Sequence, residues 1–267
     1  MRLVFLGTPA IAVPTLESLV DAGHEIALVV TGVDKRRGRG SETSPSPVKA
    51  AAVRLGLSVS REVDDVLDVG AELGVVVAFG KIIQPHLLEA LPMVNLHFSL
   101  LPRWRGAAPV ERALLEGDEV TGVCVMAVGE GLDTGGVYAT VEVPIGDSTT
   151  ADQLRAELVG AGSKLLVKTL AEGLGEPDEQ VGTPTYAAKI APAELRIDWS
   201  QSPAQIHRLI RLGRAWTTFR GARIKIHTAD LIDGRIVPIV VQPEGKPSMA
   251  YDAWHNGARP SDEERFS

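Results

Sequence analysis

From Arg2 to about residue 172, short apolar runs alternate with stretches of helical spacing, and glycine or proline stands at most of the changes. Residues 2–6 are apolar and stop at Gly7-Thr8-Pro9. Residues 10–22 carry Ile11, Leu16, Leu19 and Val20 at helical spacing and stop at Gly23. Residues 25–30 read as a second strand and 48–55 as a short helix closed by Gly56. Residues 73–79 are apolar throughout, the mark of a strand covered on both faces. A short helix over 85–90 and a strand over 93–98 follow. Strands rich in β-branched residues over 120–128 and 137–143 precede a helix capped by Thr149 or Thr150 and running to about residue 171. The alternation predicts an α/β architecture, a mostly parallel sheet with helices on both faces. Ligands of such sheets gather beyond the carboxyl ends of strands.

Residues 173–193 are rich in glycine, proline and polar breaks and read as a linker. A helix then starts at Ser200-Gln-Ser-Pro-Ala and reaches residue 212. Short strands at 216–219, 223–226 and 236–241 suit a small β-rich module. The expected organisation is a domain over 1–178, a linker over 179–199 and a module over 200–267, with no internal repeat.

Composition narrows the class. Hydrophobic residues make up 45% and charged residues 23%, which excludes disorder and collagen-like structure. Cys124 is the only cysteine, so no internal disulfide exists and a reducing, cytoplasmic setting is expected. Six histidines show no clustered zinc spacing, and no metal is expected. No apolar run approaches the roughly 20 residues of a membrane helix, and no membrane partner is expected. Gly7 and Pro9 interrupt the first apolar run, which reads as a buried strand rather than a leader. The net charge of −7 argues against a nucleic-acid grip by the whole surface. Residues 200–267 nevertheless carry +3, which leaves −10 on the remainder.

Three constellations can carry chemistry. On the strand over 93–98, Asn95 and His97 alternate with Val94, Leu96 and Phe98, so the two polar side chains share a face. Asn95 can donate two hydrogen bonds, and His97 can donate or exchange a proton. The pair suits an oxyanion forming at a carbonyl; it equally suits a buried pair bonded to loop backbone. The segment Gly129-Glu-Gly-Leu-Asp133-Thr-Gly-Gly136 lies between two strands. Asp133 is either the carboxylate that orients His97 or a turn residue of a glycine-rich hairpin. Lys35, Arg36, Arg37 and Arg39 make a basic patch in a polar loop, fit for nucleic-acid phosphates or for plain solvation. Gly7-Thr8-Pro9 is no dinucleotide fingerprint. Cys124 reads as core, and Trp216 and Trp254 as packing residues.

The run from Asn95 through Leu-His-Phe-Ser-Leu-Leu-Pro-Arg-Trp-Arg-Gly-Ala-Ala to Pro109 resembles the signature of the 10-formyltetrahydrofolate-dependent formyltransferases. Phe5-Leu-Gly-Thr-Pro9, Gly38-Arg-Gly40 with Pro45-Ser-Pro-Val-Lys49, Val75-Val-Val-Ala-Phe-Gly80, Gly131-Leu-Asp-Thr-Gly135 and Ile197-Asp-Trp-Ser200 support it. The resemblance implies a Rossmann-like catalytic domain followed by an OB-like β-barrel. It implies a catalytic trio at Asn95, His97 and Asp133. It places 10-formyltetrahydrofolate, the formyl donor, against Phe79, Gly80, Lys81 and Ile82, against Ser99, Leu100, Leu101 and Pro102, and against Val128, Gly129 and Leu132. Within the family the loop with Lys35, Arg36, Arg37 and Arg39 resembles that of the branch acting on initiator methionyl-tRNA. Formyl transfer to that tRNA for translation initiation, by a monomer, is the implied activity; the alternative acceptor is a small amine such as an amino sugar or amino acid. The C-terminal module departs from the family: Gly213-Arg-Ala-Trp-Thr217 replaces an Asn-Pro-Trp-Pro stretch, and a Pro-Gly-x-Ile segment is absent between Asp233 and Ile236. An abbreviated barrel is expected.

Overall fold

The computed structural model describes residues 1–36, 43–261 and 263–267. Its first nine strands are β1 (Arg2–Gly7), β2 (Glu25–Val30), β3 (Lys35–Arg36), β4 (Thr43–Ser44), β5 (Val59–Ser60), β6 (Leu73–Val77), β7 (Met93–His97), β8 (Val120–Ala127) and β9 (Val137–Pro144). Seven of them form one sheet in the order β5-β2-β1-β6-β7-β8-β9, while β3 and β4 pair with each other. The pairs from β5 to β7 are parallel, and β8 joins β7 antiparallel with His97 opposite Cys124. The sheet is the expected mostly parallel, Rossmann-like one.

The helices are α1 (Val13–Asp21), α2 (Pro47–Arg54), α3 (Pro85–Ala90), α4 (Pro109–Glu116), α5 (Ala151–Glu172), α6 (Pro203–Ile210) and α7 (Tyr251–Ala258). Proline opens α2, α3, α4 and α6, where its fixed φ suits the first turn and its missing N–H is not needed. Helix α4 was not foreseen, although Pro109 opens it and the left-handed Gly117 closes it. The apolar run over 73–79 stops being a strand at Val77, because Ala78 takes a positive φ of 48°. Val4, Leu6, Val30, Val76, Phe79, Leu87 and Met93 belong to one apolar cluster, with Val128 packed against it. Buried Thr15 and Ser163 hydrogen-bond at 2.9 Å and tie α1 to α5.

The chain divides into two compact units. The first comprises Met1–Ala107, Thr121–Val143 and Arg155–Ala187; the second comprises Ala108–Val120, Pro144–Leu154 and Ala188–Ser267. The second therefore takes in more than residues 200–267, and the stretch read as a linker is shared. Polar contacts explain the extra pieces. Arg112 of α4 pairs with Glu194 at 2.7 Å, and Arg208 of α6 donates to the Glu116 carbonyl at 3.0 Å. The N–H of Ala151, the first residue of α5, donates to the Arg211 carbonyl at 2.9 Å.

The second unit holds a four-stranded antiparallel sheet in the order β10 (Trp216–Phe219), β11 (Ala222–Ile232), β12 (Arg235–Pro243) and β13 (Met249–Ala250). Here β11 runs well past the expected 223–226. Ile232 pairs with Arg235 across Asp233-Gly234, whose φ values of 47° and 70° make the two-residue turn that matches strand twist. The site of the missing Pro-Gly-x-Ile segment is thus a tight hairpin. Ile197, Ile206, Ile210, Phe219, Ile224, Ile226 and Val241 form the core of this unit, with Trp199, Trp254 and Phe266 against it. Trp254 packs as expected. Trp216 is half-buried, with two cations against its ring, Arg223 at 4.2 Å and Arg196 at 5.8 Å from the ring centre.

Candidate active site

β7 presents Asn95 half-buried and His97 buried. The His97 ring is held from two sides. Its Nε2 lies 2.9 Å from the Trp104 carbonyl oxygen. A carbonyl only accepts, so Nε2 carries the proton and donates. Nδ1 faces Asp133 Oδ2 at 3.6 Å, and both side chains are largely shielded from water. Nδ1 is therefore the ring nitrogen left for chemistry. As a neutral ring it offers a lone pair, and as an imidazolium it donates beside a carboxylate. The side-chain amide of Asn95 makes no hydrogen bond among the described residues.

Two bends in the chain create this arrangement. Trp104 has φ of 62° and Asp133 has φ of 51°, left-handed conformations that cost about 1–3 kcal/mol for a side-chain-bearing residue. The first turns the Trp104 carbonyl toward His97. The second returns the loop after β8 so that Asp133 Oδ2 also accepts the Gly106 N–H at 2.8 Å. Gly135 makes the return possible, because a Cβ there would lie 1.9 Å from the Ala127 carbonyl oxygen. Gly106 itself sits at φ of 118°, open only to glycine.

Around this pair, Ser99 is buried and donates from Oγ to the Arg103 carbonyl at 2.5 Å. Leu100, Leu101 and Pro102 are half-buried, and the Leu101–Pro102 bond is cis. Phe79 is buried under the Lys81 ammonium, 5.7 Å from the ring centre, and Lys81 also donates to the Arg61 carbonyl. Gly80 has φ of 74°. Ile82 and Leu132 expose 84% and 65% of their surface. Gly129 is exposed, and Val128 shares an apolar cluster with Phe79. Lys35 and Arg36 lie in β3, while Arg37 and Arg39 fall outside the described residues. Cys124 is buried, and burial pushes its thiol up to about 11, so it stays an uncharged core group as the sequence predicts.

Residues 1–170 match the family described as formyl transferase, and residues 189–236 match the formyl transferase C-terminal domain. The chain belongs to the formyl transferase family. Among its relatives, a methionyl-tRNA formyltransferase of Heliobacterium modesticaldum is 46% identical over 229 residues, covering 81% of this chain and 72% of that one. A methionyl-tRNA formyltransferase of Clavibacter sepedonicus is 40% identical over 301 aligned positions, covering 98% of this chain and 99% of that one. That alignment is longer than the 267 residues here, so the relative carries residues this formyl transferase lacks. Two solved structures share the fold. One is a methionyl-tRNA formyltransferase from Clostridium thermocellum, with TM-score 0.64, 16% identity and coverage of 91% of this chain and 98% of that one. The other is an N-formyltransferase from Helicobacter canadensis in complex with folinic acid and dTDP-3-aminofucose, with TM-score 0.69, 20% identity and coverage of 87% and 88%.

Sequence reasoning singled out His97 and Asp133 in this formyl transferase, and the structure brings them together. It missed the backbone that holds them: the Trp104 carbonyl, the Gly106 N–H, and the side chains of Gln180 and Thr185. Positive φ at a tryptophan leaves no mark in sequence. Gln180 and Thr185 fall in the stretch read as a linker, where composition hides any contact.

Proposed function

We propose that this chain transfers the formyl group of 10-formyltetrahydrofolate to the α-amino group of methionyl-initiator-tRNA, for translation initiation in the cytoplasm. One observation carries this: methionyl-tRNA formyltransferases align along 98–100% of the chain at 37–40% identity, C-terminal unit included. The small-amine alternative rests on structures at 20% identity or less, which share the fold alone.

In this reading the α-amine attacks the formyl carbon on N10 of the folate. The amine ionises near pH 8, so a useful fraction is neutral and nucleophilic at neutral pH. The new C–N bond forms, and the formyl oxygen becomes an oxyanion. The Asn95 amide, unengaged among the described residues, donates to it, and so does His97 from Nδ1. His97 can donate there only as an imidazolium, since Nε2–H is committed to Trp104. The adjacent Asp133 carboxylate balances that charge and takes part in moving the amine proton. The intermediate collapses, the C–N10 bond breaks, and N10 leaves with a proton. The chain supplies position and electrostatics, and the folate supplies the activated carbon.

The folate is assigned to Phe79–Ile82, Ser99–Pro102 and Val128–Leu132. Exposed Ile82 and Leu132 fit apolar walls waiting for a flat ring. Lys35, Arg36, Arg37 and Arg39 are assigned to the tRNA. The test offers purified protein and 10-formyltetrahydrofolate three acceptors: methionyl-initiator-tRNA, methionyl-elongator-tRNA and free methionine. Formylation of the initiator alone is expected. Formylation of free methionine at an equal rate would overturn the tRNA assignment.

A further inference from the structure

Gln180 lies 47 residues from Asp133 and 75 from Arg105 in the chain, yet its amide joins both. Its Nε2 donates to the Asp133 carbonyl at 2.9 Å and to the Gly135 carbonyl at 2.8 Å. Its Oε1 accepts from Arg105 Nε at 3.0 Å and from an Arg105 terminal nitrogen at 2.6 Å. A glutamine amide has two donor hydrogens and two acceptor lone pairs, and all four are used here. The partners also fix its orientation. A flip would set N–H against guanidinium and oxygen against carbonyl.

The two segments it joins are those that hold His97. Asp133 faces Nδ1 from the first; Trp104, one residue before Arg105, accepts from Nε2 on the second. The same strand of chain reinforces the grip. Thr185 Oγ1 accepts the Trp104 N–H at 2.9 Å, the Thr185 carbonyl accepts the Arg105 N–H at 2.9 Å, and the Ala187 N–H donates to the Arg105 carbonyl at 2.7 Å. Both segments contain a non-glycine residue at positive φ, which persists only where its surroundings hold it.

We infer that Gln180, with Arg105, is a positioning residue for formyl transfer: it sets the distance between Asp133 and His97 by clamping the two loops that carry their partners. The inference rests on the functional reading above for its effect on turnover, but the clamp itself is a statement about geometry. A displacement of about 1 Å in a reacting constellation costs on the order of 100-fold in rate.

The test uses Gln180→Leu, which keeps the size and loses all four hydrogen bonds, and Gln180→Glu, which keeps the Arg105 contact and loses both donors. Each is expected to lower kcat about 10- to 100-fold while leaving KM for the formyl donor within about two-fold. Adding Arg105→Leu to Gln180→Leu should lower kcat little further, since both remove one unit. In the substrate-free protein, the nitrogen-15 signals of the His97 ring and the carbon-13 signal of the Asp133 carboxyl should move, which a residue that only supports the fold elsewhere would not cause. Unmoved His97 and Asp133 signals overturn the clamp, as does an unchanged kcat or a loss expressed only in KM. A wild-type protein that formylates nothing overturns the functional reading instead, and the substrate-free signals still judge the clamp. Should Gln180→Leu not fold, Gln180→Glu carries the same measurements.

Discussion

At the scale of the residue, the informative fact about His97 is which nitrogen is tied. A histidine whose Nε2–H is spent on a backbone carbonyl has one working atom, and Asp133 stands beside it. Asp133 has two duties that one substitution can separate. Asn at position 133 retains an oxygen to accept the Gly106 N–H, so the loop stays closed, but the negative charge beside Nδ1 disappears. Asp133→Asn is therefore expected to lower kcat about 100- to 10,000-fold, with folate affinity and unfolding midpoint close to wild type. Steady-state kinetics with a folate titration read both. A wild-type rate would remove Asp133 from the chemistry. His97 and Asp133 were legible as residue types because a polar pair on an apolar strand and an aspartate among glycines are anomalies of pattern. Their meeting was legible as one of two readings of Asp133 and as what the family resemblance implies; how it is built was not, because it depends on backbone turns at Trp104 and Asp133 that no side-chain pattern encodes.

At the scale of the element, the sheet was readable because apolar alternation and glycine or proline punctuation decide strand and helix locally. Glu25–Val30 and Trp216–Phe219 have the bounds that the sequence pattern predicts. Misreadings occur where a contact distant in sequence wins. Helix α4 belongs with α6 through Arg208, and β11 outruns its apolar centre because its tight turn keeps it paired to Ile232. The hairpin of β8 and β9 is limited by space rather than pattern. A methyl at Gly135 meets the Ala127 carbonyl, although Ala127 must also keep its 2.8 Å bond to the Gly136 oxygen. Gly135→Ala should destabilise by about 1–3 kcal/mol and displace Asp133, lowering kcat as well. Urea unfolding and kinetics check the pair of effects; an unchanged midpoint would show that the loop yields freely.

The chain terminus is another element fixed from a distance. The Arg220 guanidinium donates to both oxygens of Glu264 at 2.6 and 2.7 Å and holds that carboxyl down at about 2, far below its ordinary 4.5. Phe266 then stacks on Trp199 and Trp254. A depressed folded value means the contribution is complete above pH 4.5 and is lost as pH falls toward about 2. Tryptophan fluorescence should follow loosening of the terminus in that window. Arg220→Gln should move the change upward, toward the ordinary carboxylate range. An acid transition at the same pH in both proteins would show that this pair does not anchor the terminus.

At the scale of the whole molecule, charge sets the terms on which a polyanion can bind. Residues 200–267 carry +3 against −10 on the rest, so uniform attraction is absent and any grip on tRNA must be local. The second unit supplies cations in company with an aromatic ring: Arg196 and Arg223 over Trp216, with Lys225 paired to Trp216 in register. Lysine and arginine contacts to phosphate release condensed counterions, and each steepens the fall of affinity with salt by about 0.9 in a log–log plot on duplex. Three such contacts already imply about a 40-fold loss between about 50 and about 200 mM salt. The folate is a small ligand and should show a far shallower dependence, which separates a phosphate grip from a general effect of salt on the protein. Equilibrium binding of methionyl-initiator-tRNA across that range, with folate binding measured alongside, makes the comparison. A tRNA affinity as flat as that of the folate would mean that neither the basic loop nor the second unit holds phosphate, and that the acceptor is recognised by its aminoacyl end alone.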